Sequence, residues 1–203
     1  MITLYHCPRT RSSRILWLLE EVGAPYAIEP VSIFRPMEGA GGPDPANPHP
    51  DKRVPAIAHN GALIAESVAI VLYLTDAFPR AGLGPVIGDP RRGDYLTWCV
   101  WYAAEMEPAM FAKFGDELGQ PMKRRSYEQV VARLESTLSR QPYVLGEAFT
   151  AADILVGSAL QWARAVFPES PILDAYVERL NARPALQRSA ALDEARGMQM
   201  AGD

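Results

Sequence analysis

The amino-acid sequence predicts an α/β domain followed by an all-α domain. Strand-like and helix-like segments alternate up to residue 80, whereas strand signals nearly vanish beyond residue 93. Residues 81–93 are rich in glycine and proline, which is typical of a linker. We therefore expect a mixed four-stranded sheet domain at residues 1–80 and a helical domain at residues 94–203. A chain of 203 residues is long enough to bury two such cores.

The first strand and helix are marked by local signals. Residues 2–5 are β-prone, and the following segment has apolar residues at helical spacing: Ile15, Leu18, Leu19 and Val22. Thr10, Ser12 or Ser13 could cap the start of this helix, and Gly23 marks its end.

The rest of the first domain contains a second strand and a hairpin. Residues 26–33 are strand-like, whereas residues 34–53 carry five prolines and three glycines and are expected to be irregular and exposed. Asn60-Gly61 then suits a type I′ hairpin turn, and a helix runs from Ser67 to a stop at Pro79. A crossover helix between the first two strands, followed by a hairpin, predicts a mixed sheet.

The second half of the chain has start signals for successive helices. The first of these helices covers residues 94–114 and carries an aromatic stripe. The start signals are Asp89-Pro90, Ser126 with Gln129, Thr150 with Asp153, Ser170-Pro171, and Pro184.

The composition excludes several classes of protein. The net charge is −4 and no long basic run occurs, so a nucleic-acid partner is not expected. The longest apolar run, residues 68–74, is too short to span a membrane, and the N-terminus lacks the apolar region of a signal peptide. Two distant cysteines and three scattered histidines predict neither a disulfide framework nor a metal site. We therefore expect a cytoplasmic protein with reduced thiols.

Four short features, taken together, resemble one family. They are Cys7-Pro8 before the first helix, Val54-Pro55 at the start of a strand, Glu66-Ser67 opening a helix, and the Thr150–Asp153 capping box. In order and spacing the chain is similar, over essentially its whole length, to the cytosolic glutathione transferases. At Cys7 it looks like the bacterial and omega or zeta-like classes, which place a cysteine or serine there. The resemblance implies a thioredoxin-like first domain that binds glutathione, a helical domain that completes a pocket for a hydrophobic or disulfide substrate, and a homodimer.

The resemblance also assigns parts of glutathione to residues of this chain. Val54, before a cis Pro55, pairs its backbone with the cysteinyl part of the tripeptide. Ser67 opens a helix whose free N–H groups suit the γ-glutamyl carboxylate, and Glu66 faces the ammonium group. For Ser67 and Glu66, an ordinary helix cap and a solvated strand end are the alternatives.

The glycyl carboxylate is assigned to Lys52 or Arg53. The choice stays open because the segment after Asn47-Pro48 is two residues longer than the usual family pattern and lacks its glycine.

Two mechanisms are open for Cys7. In the first, the helix start lowers its pKa, with Arg11 as a candidate for a further contribution, and the thiolate forms a mixed disulfide with glutathione. In the second, Cys7 donates a hydrogen bond to the glutathione thiolate, a role that Ser12 or Ser13 could share. The alternative to both is a buried strand-end thiol. His6 is a poor partner for a Cys–His dyad because adjacent strand residues point to opposite faces.

The aromatic stripe supplies candidates for the hydrophobic substrate pocket. They are Trp98, Trp101, Tyr102 and Met106, and the alternative for each is helix-bundle core. The leading hypothesis is an enzyme that conjugates glutathione to an electrophile or transfers thiols through Cys7. The other candidates are a non-catalytic binding or assembly protein on the same fold and a maleylacetoacetate-type isomerase.

Overall fold

A mixed sheet lies at the centre of the N-terminal half of the protein. The computed structural model describes residues 1–35 and 38–201, and within this range the sheet has the order β2-β1-β3-β4. The strands are β1 (Ile2–His6), β2 (Tyr26–Pro30), β3 (Ala56–His59) and β4 (Ala62–Ala65). β1 pairs in parallel with β2, whereas the β1–β3 and β3–β4 pairs are antiparallel. The predicted mixed four-stranded sheet is confirmed.

Helix α1 (Arg11–Val22) follows β1 and provides much of the core against the sheet. Its residues Ile15 to Leu19 are all buried. Thr10 caps the helix, Ser13 completes the capping box, and Gly23 closes it with a φ of 69°. Two of the three predicted capping candidates therefore act at this helix start.

The hairpin between β3 and β4 and the helix after it also match the sequence signals. Asn60 and Gly61 have φ values of 50° and 79°, and positive φ at both central residues is what a type I′ turn requires. Helix α2 (Ser67–Ala77) begins directly after β4.

The last helix, α8 (Pro184–Ala201), groups with the sheet and not with the other late helices. The chain divides into two compact units, residues 82–183 forming one and the flanking segments the other. Arg188 Nε donates to Glu20 Oε2 at 2.7 Å, and Asp193 accepts from Ser13 Oγ at 2.6 Å, so α8 is tied to α1. The expected helical domain of residues 94–203 therefore ends at residue 183, and the expected linker belongs mainly to the helical unit.

The helical unit consists of α3 (Arg92–Trp101), α4 (Glu107–Phe114), α5 (Pro121–Leu138), α6 (Ala151–Trp162) and α7 (Pro171–Asn181). A π-helical turn, Tyr102–Met106, interrupts the helix that the sequence predicts over 94–114, and Pro108 stands near the start of α4. The predicted start of α5 at Ser126 is wrong, because the helix begins at Pro121, a residue well suited to the first helical position.

A buried carboxylate organises the core of this second unit. Asp153 forms the predicted capping box with Thr150, and it also accepts from the Val144 amide at 2.9 Å and the Tyr176 hydroxyl at 3.0 Å. Burial raises the pKa of Asp153 to about 6, against the opposing effect of these hydrogen bonds. We assign Asp153 to folding.

Among the described helices, none has both the length and the apolar character that crossing a bilayer requires.

Candidate functional site

The pairing of the strands brings three predicted site segments to one end of the sheet. Tyr5 of β1 pairs with Ala56 of β3, and Ala56 pairs with Ala65 of β4. Because these strands are antiparallel, the end of β1, the start of β3 and the end of β4 lie side by side. The segments at that end are Cys7-Pro8, Val54-Pro55 and Glu66-Ser67. The register therefore supports the sequence-based grouping.

Cys7 lies in a tight turn between β1 and α1 that side-chain hydroxyls hold together. Thr10 Oγ1 donates to the Cys7 carbonyl at 2.6 Å, and the Cys7 amide donates to Ser12 Oγ at 3.2 Å. Ser12 is fully buried, and its Oγ also lies 2.8 Å from His6 Nδ1. The expected catalytic role of Ser12 does not fit this geometry, because its buried hydroxyl is hydrogen-bonded inside the turn.

The Cys7 sulfur has a cationic neighbour that the sequence analysis missed. Arg35 Nη2 donates to Cys7 Sγ at 3.1 Å, and Cys7 as a whole is 2% exposed. Burial raises the pKa of the Cys7 thiol, and the charge and hydrogen bond of Arg35 lower it without cancelling that effect. The expected net lowering of the pKa is therefore wrong. The nearby cation is Arg35, whereas Arg11 is an exposed residue in the first turn of α1.

Behind the turn, His6 and Asp193 extend the hydrogen-bonded network to α8. His6 Nε2 lies 3.1 Å from Asp193 Oδ1, and Asp193 Oδ2 accepts from the Arg9 amide at 3.0 Å. His6 faces Ser12 and Asp193, as expected for a residue that is no partner of the Cys7 thiol. No local signal in the sequence identifies Asp193, which lies 180 residues from Ser13 along the chain.

Ser67 has a buried hydroxyl without a hydrogen-bond partner among the described residues. It begins α2, is only 7% exposed, and its Oγ has no hydrogen-bond partner within residues 1–35 and 38–201. The first amides of a helix also lack partners within the helix, and they favour an anion. Glu66 precedes it with an exposed side chain and a φ of 68°, a rare conformation for a residue with a Cβ. The Ser67 hydroxyl and the first amides of α2 are donors that suit a carboxylate, whereas the Glu66 carboxylate suits a cation.

The loop before β3 lies next to this site and is held in place by a buried asparagine. The Val54–Pro55 peptide bond is cis, in agreement with the resemblance. Asn47 is buried and donates to the Arg53 carbonyl at 3.1 Å, while Lys52 Nζ donates to the Asn47 carbonyl at 2.6 Å. Residues 44–53 are irregular and mostly exposed, as expected, but Asn47 and His49 are buried and the loop is internally hydrogen-bonded. Of the two candidate cations, Lys52 is engaged in this loop, whereas the Arg53 guanidinium is exposed and lies 3.7 Å from Glu66.

The predicted hydrophobic pocket residues mostly belong to the core of the helical unit. Trp98, Tyr102 and Met106 are buried, and the Arg133 guanidinium lies 4.4 and 4.6 Å from the Trp98 and Trp101 ring centroids. Burial therefore favours the bundle-core alternative for Trp98, Tyr102 and Met106. Trp101 is half-buried, and the assignment of the four residues to a substrate pocket stays a prediction.

A different aromatic cluster is exposed on the helical unit. Phe111 and Phe114 of α4 lie 6.0 and 5.9 Å from Trp162 of α6, measured between ring centroids. Trp162 is 53% exposed and Phe114 is 51% exposed. Helical spacing alone does not separate this face from the buried one.

No group of three or more metal-binding side chains is found among the described residues. Both cysteines are free thiols in the described part of the chain, and Cys99 is fully buried with its pKa raised by burial to about 12.

Comparison with known proteins agrees with the fold. Residues 1–76 match the family described as glutathione S-transferase, N-terminal domain, and residues 100–182 match its C-terminal domain. Glutathione S-transferase GstA of Escherichia coli O157:H7 is 27% identical over 176 residues, covering 83% of this chain and 87% of that protein.

Solved structures extend this similarity. A sphingomonad glutathione S-transferase complexed with glutathione is 26% identical, with a TM-score of 0.78 and coverage of 95% of this chain and 98% of that one. A glutathione S-transferase from Actinobacillus pleuropneumoniae, at 22% identity, supports the fold with a TM-score of 0.81 and coverage of 96% and 93%.

Proposed function

Because the chain belongs to the cytosolic glutathione transferase superfamily, we propose that it binds glutathione at the sheet end formed by Cys7, Val54 and Ser67 and transfers thiols through Cys7. The observation that carries the proposal is the unpartnered Ser67 Oγ at the start of α2, as judged over the described residues. A γ-glutamyl carboxylate bound there would satisfy this hydroxyl and the first helix amides together. The backbone of Val54, next to the cis bond, would pair with the cysteinyl part.

The charged ends of glutathione have candidate partners on either side. Glu66 is exposed next to Ser67 and suits the ammonium group. We assign the glycyl carboxylate to Arg53, because its guanidinium is exposed while Lys52 is occupied by the Asn47 carbonyl. Arg53 pairs with Asp51 at 2.8 Å, and a bound carboxylate would compete for the same guanidinium.

The proposed chemistry is thiol–disulfide exchange. The Cys7 thiolate attacks the glutathione sulfur of a mixed disulfide, so that a new sulfur–sulfur bond forms and the substrate thiolate leaves and takes up a proton. A second glutathione thiolate then attacks the Cys7–glutathione disulfide. This releases oxidised glutathione and restores the Cys7 thiolate.

Glutathione binding is tested by calorimetry with the reduced tripeptide. Ser67→Ala removes one hydrogen bond to a charged group, which is worth about 1.5–3 kcal/mol, so the affinity should fall roughly tenfold to a hundredfold. Ser170→Ala is the matched control, since Ser170 is a buried serine at the start of α7 in the helical unit. Equal affinities for the two variants, or no heat of binding in the unmodified protein, would refute this site.

Thiol transfer is tested by intact mass after incubation with oxidised glutathione. One glutathionyl group should add to the protein and to Cys99→Ser, and none to Cys7→Ser. An adduct on Cys7→Ser, or no adduct on the unmodified protein, would refute thiol transfer through Cys7. A protein that binds glutathione and shows neither this reaction nor conjugation would be the non-catalytic binding protein.

Conjugation to a hydrophobic electrophile is a second proposal, favoured by the exposed ring cluster. Phe111, Phe114 and Trp162 offer ring faces to a planar aromatic substrate. Trp162→Ala should weaken the binding of an aryl halide roughly two- to tenfold in calorimetry, whereas Trp101→Ala, which alters a ring stacked on Arg133, should act on stability. Equal affinities of Trp162→Ala and the unmodified protein for the aryl halide would show that the cluster does not bind this substrate.

We also propose, from the family resemblance, that the protein is a homodimer in the cytoplasm, where both thiols stay reduced. Light scattering with size-exclusion chromatography tests the dimer, and a monomeric mass at micromolar concentration would contradict it.

A further inference from the structure

We propose that Arg35 is a catalytic residue that stabilises the Cys7 thiolate whenever it forms during the exchange. Its guanidinium touches the reacting atom from the irregular segment after β2. The inference rests on the proposed thiol transfer through Cys7, and it names the residue that makes this transfer feasible in a buried site.

The guanidinium is oriented before any substrate arrives. Nη2 donates to Cys7 Sγ at 3.1 Å and to the Pro8 carbonyl at 2.9 Å, and this nitrogen carries two hydrogens, one for each acceptor. Nη1 lies 3.7 Å from Glu38 Oε1. The Arg35 amide donates to the Ala40 carbonyl at 2.7 Å, which fixes the backbone from which the side chain extends. The cation is thus held at the sulfur by a carbonyl and a carboxylate.

The surroundings of Cys7 otherwise oppose a negative charge. Burial raises the pKa of Cys7, and the carboxylates of Asp193 and Glu38 raise it further, whereas Arg35 lowers it through both its charge and its hydrogen bond. A buried anion is costly unless it is paired and hydrogen-bonded. An ionised acceptor also forms a much stronger hydrogen bond than a neutral thiol does. The contact is therefore worth most when the proton has left for solvent.

The same contact acts at two points of the exchange. Arg35 stabilises the thiolate that attacks the mixed disulfide, and in the resulting Cys7–glutathione disulfide the sulfur carries no charge. When the second glutathione attacks, Cys7 leaves as a thiolate and regains the contact, and a leaving group of lower pKa departs faster. Loss of Arg35 should therefore slow both the formation and the resolution of the adduct.

The test is the pH dependence of Cys7 alkylation by iodoacetamide in a Cys99→Ser background. Arg35→Met keeps the bulk and removes the charge, so the midpoint of the rate profile should rise by about one pH unit or more. At a pH below the midpoint, a rise of one unit in the Cys7 pKa reduces the thiolate fraction tenfold. Because the more basic thiolate is intrinsically more reactive, the alkylation rate should fall only roughly three- to fourfold. Arg35→Lys should keep much of the wild-type profile, and Arg80→Gln, an exposed site in the same unit, should keep all of it.

An unchanged midpoint in Arg35→Met would overturn the inference, as would equal shifts in the Met and Lys variants, because a charge effect must separate them. Circular dichroism establishes that each variant is folded. Calorimetry with reduced glutathione keeps the two proposals distinguishable. If the unmodified protein takes up no glutathione, the proposed function fails while the alkylation profile still reports on Arg35. If binding persists and the profile is unmoved, the inference about Arg35 fails alone.

Discussion

Asp193 offers the most direct way to test how the last helix supports the candidate site. This carboxylate of α8 accepts from Ser13 Oγ at 2.6 Å and from the Arg9 amide at 3.0 Å, and it lies 3.1 Å from His6 Nε2. Its side chain is 14% exposed. Asp193→Asn keeps the shape, the Oδ1 position and one acceptor, but removes the charge and the second acceptor.

The hydrogen bonds of Asp193 determine how much stability Asp193→Asn should lose. A hydrogen bond to a charged group contributes about 1.5–3 kcal/mol, and one of the two direct bonds is lost while the other becomes neutral. We expect Asp193→Asn to lower the free energy of unfolding of the first unit by about 2 kcal/mol at neutral pH. Glu194→Gln, an exposed neighbour on the same helix, should change it by less than about 0.5 kcal/mol.

The effect should also depend on pH with a defined sign. Burial raises the pKa of Asp193, but the contacts with His6, Ser13 and Arg9 outweigh burial and hold it below the ordinary value of 3.8. A carboxyl group with a lowered folded-state pKa stabilises the fold above its unfolded-state pKa. That stability is lost as the pH falls through the folded-state value. The gap between the unmodified protein and Asp193→Asn should therefore narrow on acidification below about pH 4.

Hydrogen exchange followed by mass spectrometry reports on α1 and α8 separately from the helical unit, and urea titration supplies the free energies. Asp193→Asn should speed exchange in the α1 and α8 peptides, and Glu194→Gln should not. The reasoning is refuted if the two variants are equally stable, or if the gap stays constant between pH 7 and pH 3.

Two further predictions concern the helical unit. Burial raises the pKa of Asp153 to about 6, so its charge destabilises the fold fully above pH 6 and not below pH 4. Urea titration should therefore show the free energy of unfolding falling by roughly 3 kcal/mol between pH 4 and pH 6. Asp153→Asn should not show this dependence. Gly157→Ala places a Cβ 2.1 Å from Cδ1 of the buried Leu180 and should lower the free energy of unfolding by about 1–3 kcal/mol. Gly93→Ala places its Cβ where no atom lies within 4 Å, so this variant should be neutral or stabilising. Equal effects at the two glycines would contradict the packing argument.

Local chemistry explains how much of the fold the sequence predicts. The Asn60-Gly61 turn, the Thr150–Asp153 capping box and the Gly23 helix end are each decided by residues within one turn of the chain. Signals of this kind give element types and order, and the order restricts the sheet to few topologies. The shared sheet end of Cys7 and Ser67 then follows from strand pairing alone.

The missed features depend on side chains that meet across the fold. Arg35 reaches Cys7 from 28 residues away, and Asp193 reaches Ser13 from 180 residues away. The burial of the aromatic stripe depends on packing for a related reason. Helical spacing groups Trp98 with Trp101, but only the packed bundle decides that Trp98 is buried and that Trp162 is exposed.

The carboxylate that stabilises the Cys7 turn also disfavours the thiolate that the proposed chemistry requires. Asp193 fixes the turn through Ser13 and the Arg9 amide, yet its negative charge raises the pKa of Cys7. A thiolate in such a turn requires a nearby cation, and Arg35 Nη2 lies 3.1 Å from Cys7 Sγ. The helix start alone does not supply this charge, since burial prevails even with Arg35 present. A buried cysteine before a helix therefore becomes a plausible nucleophile only through a residue brought to it by the tertiary fold, and the reactivity of Cys7 should follow Arg35 more closely than any residue of α1.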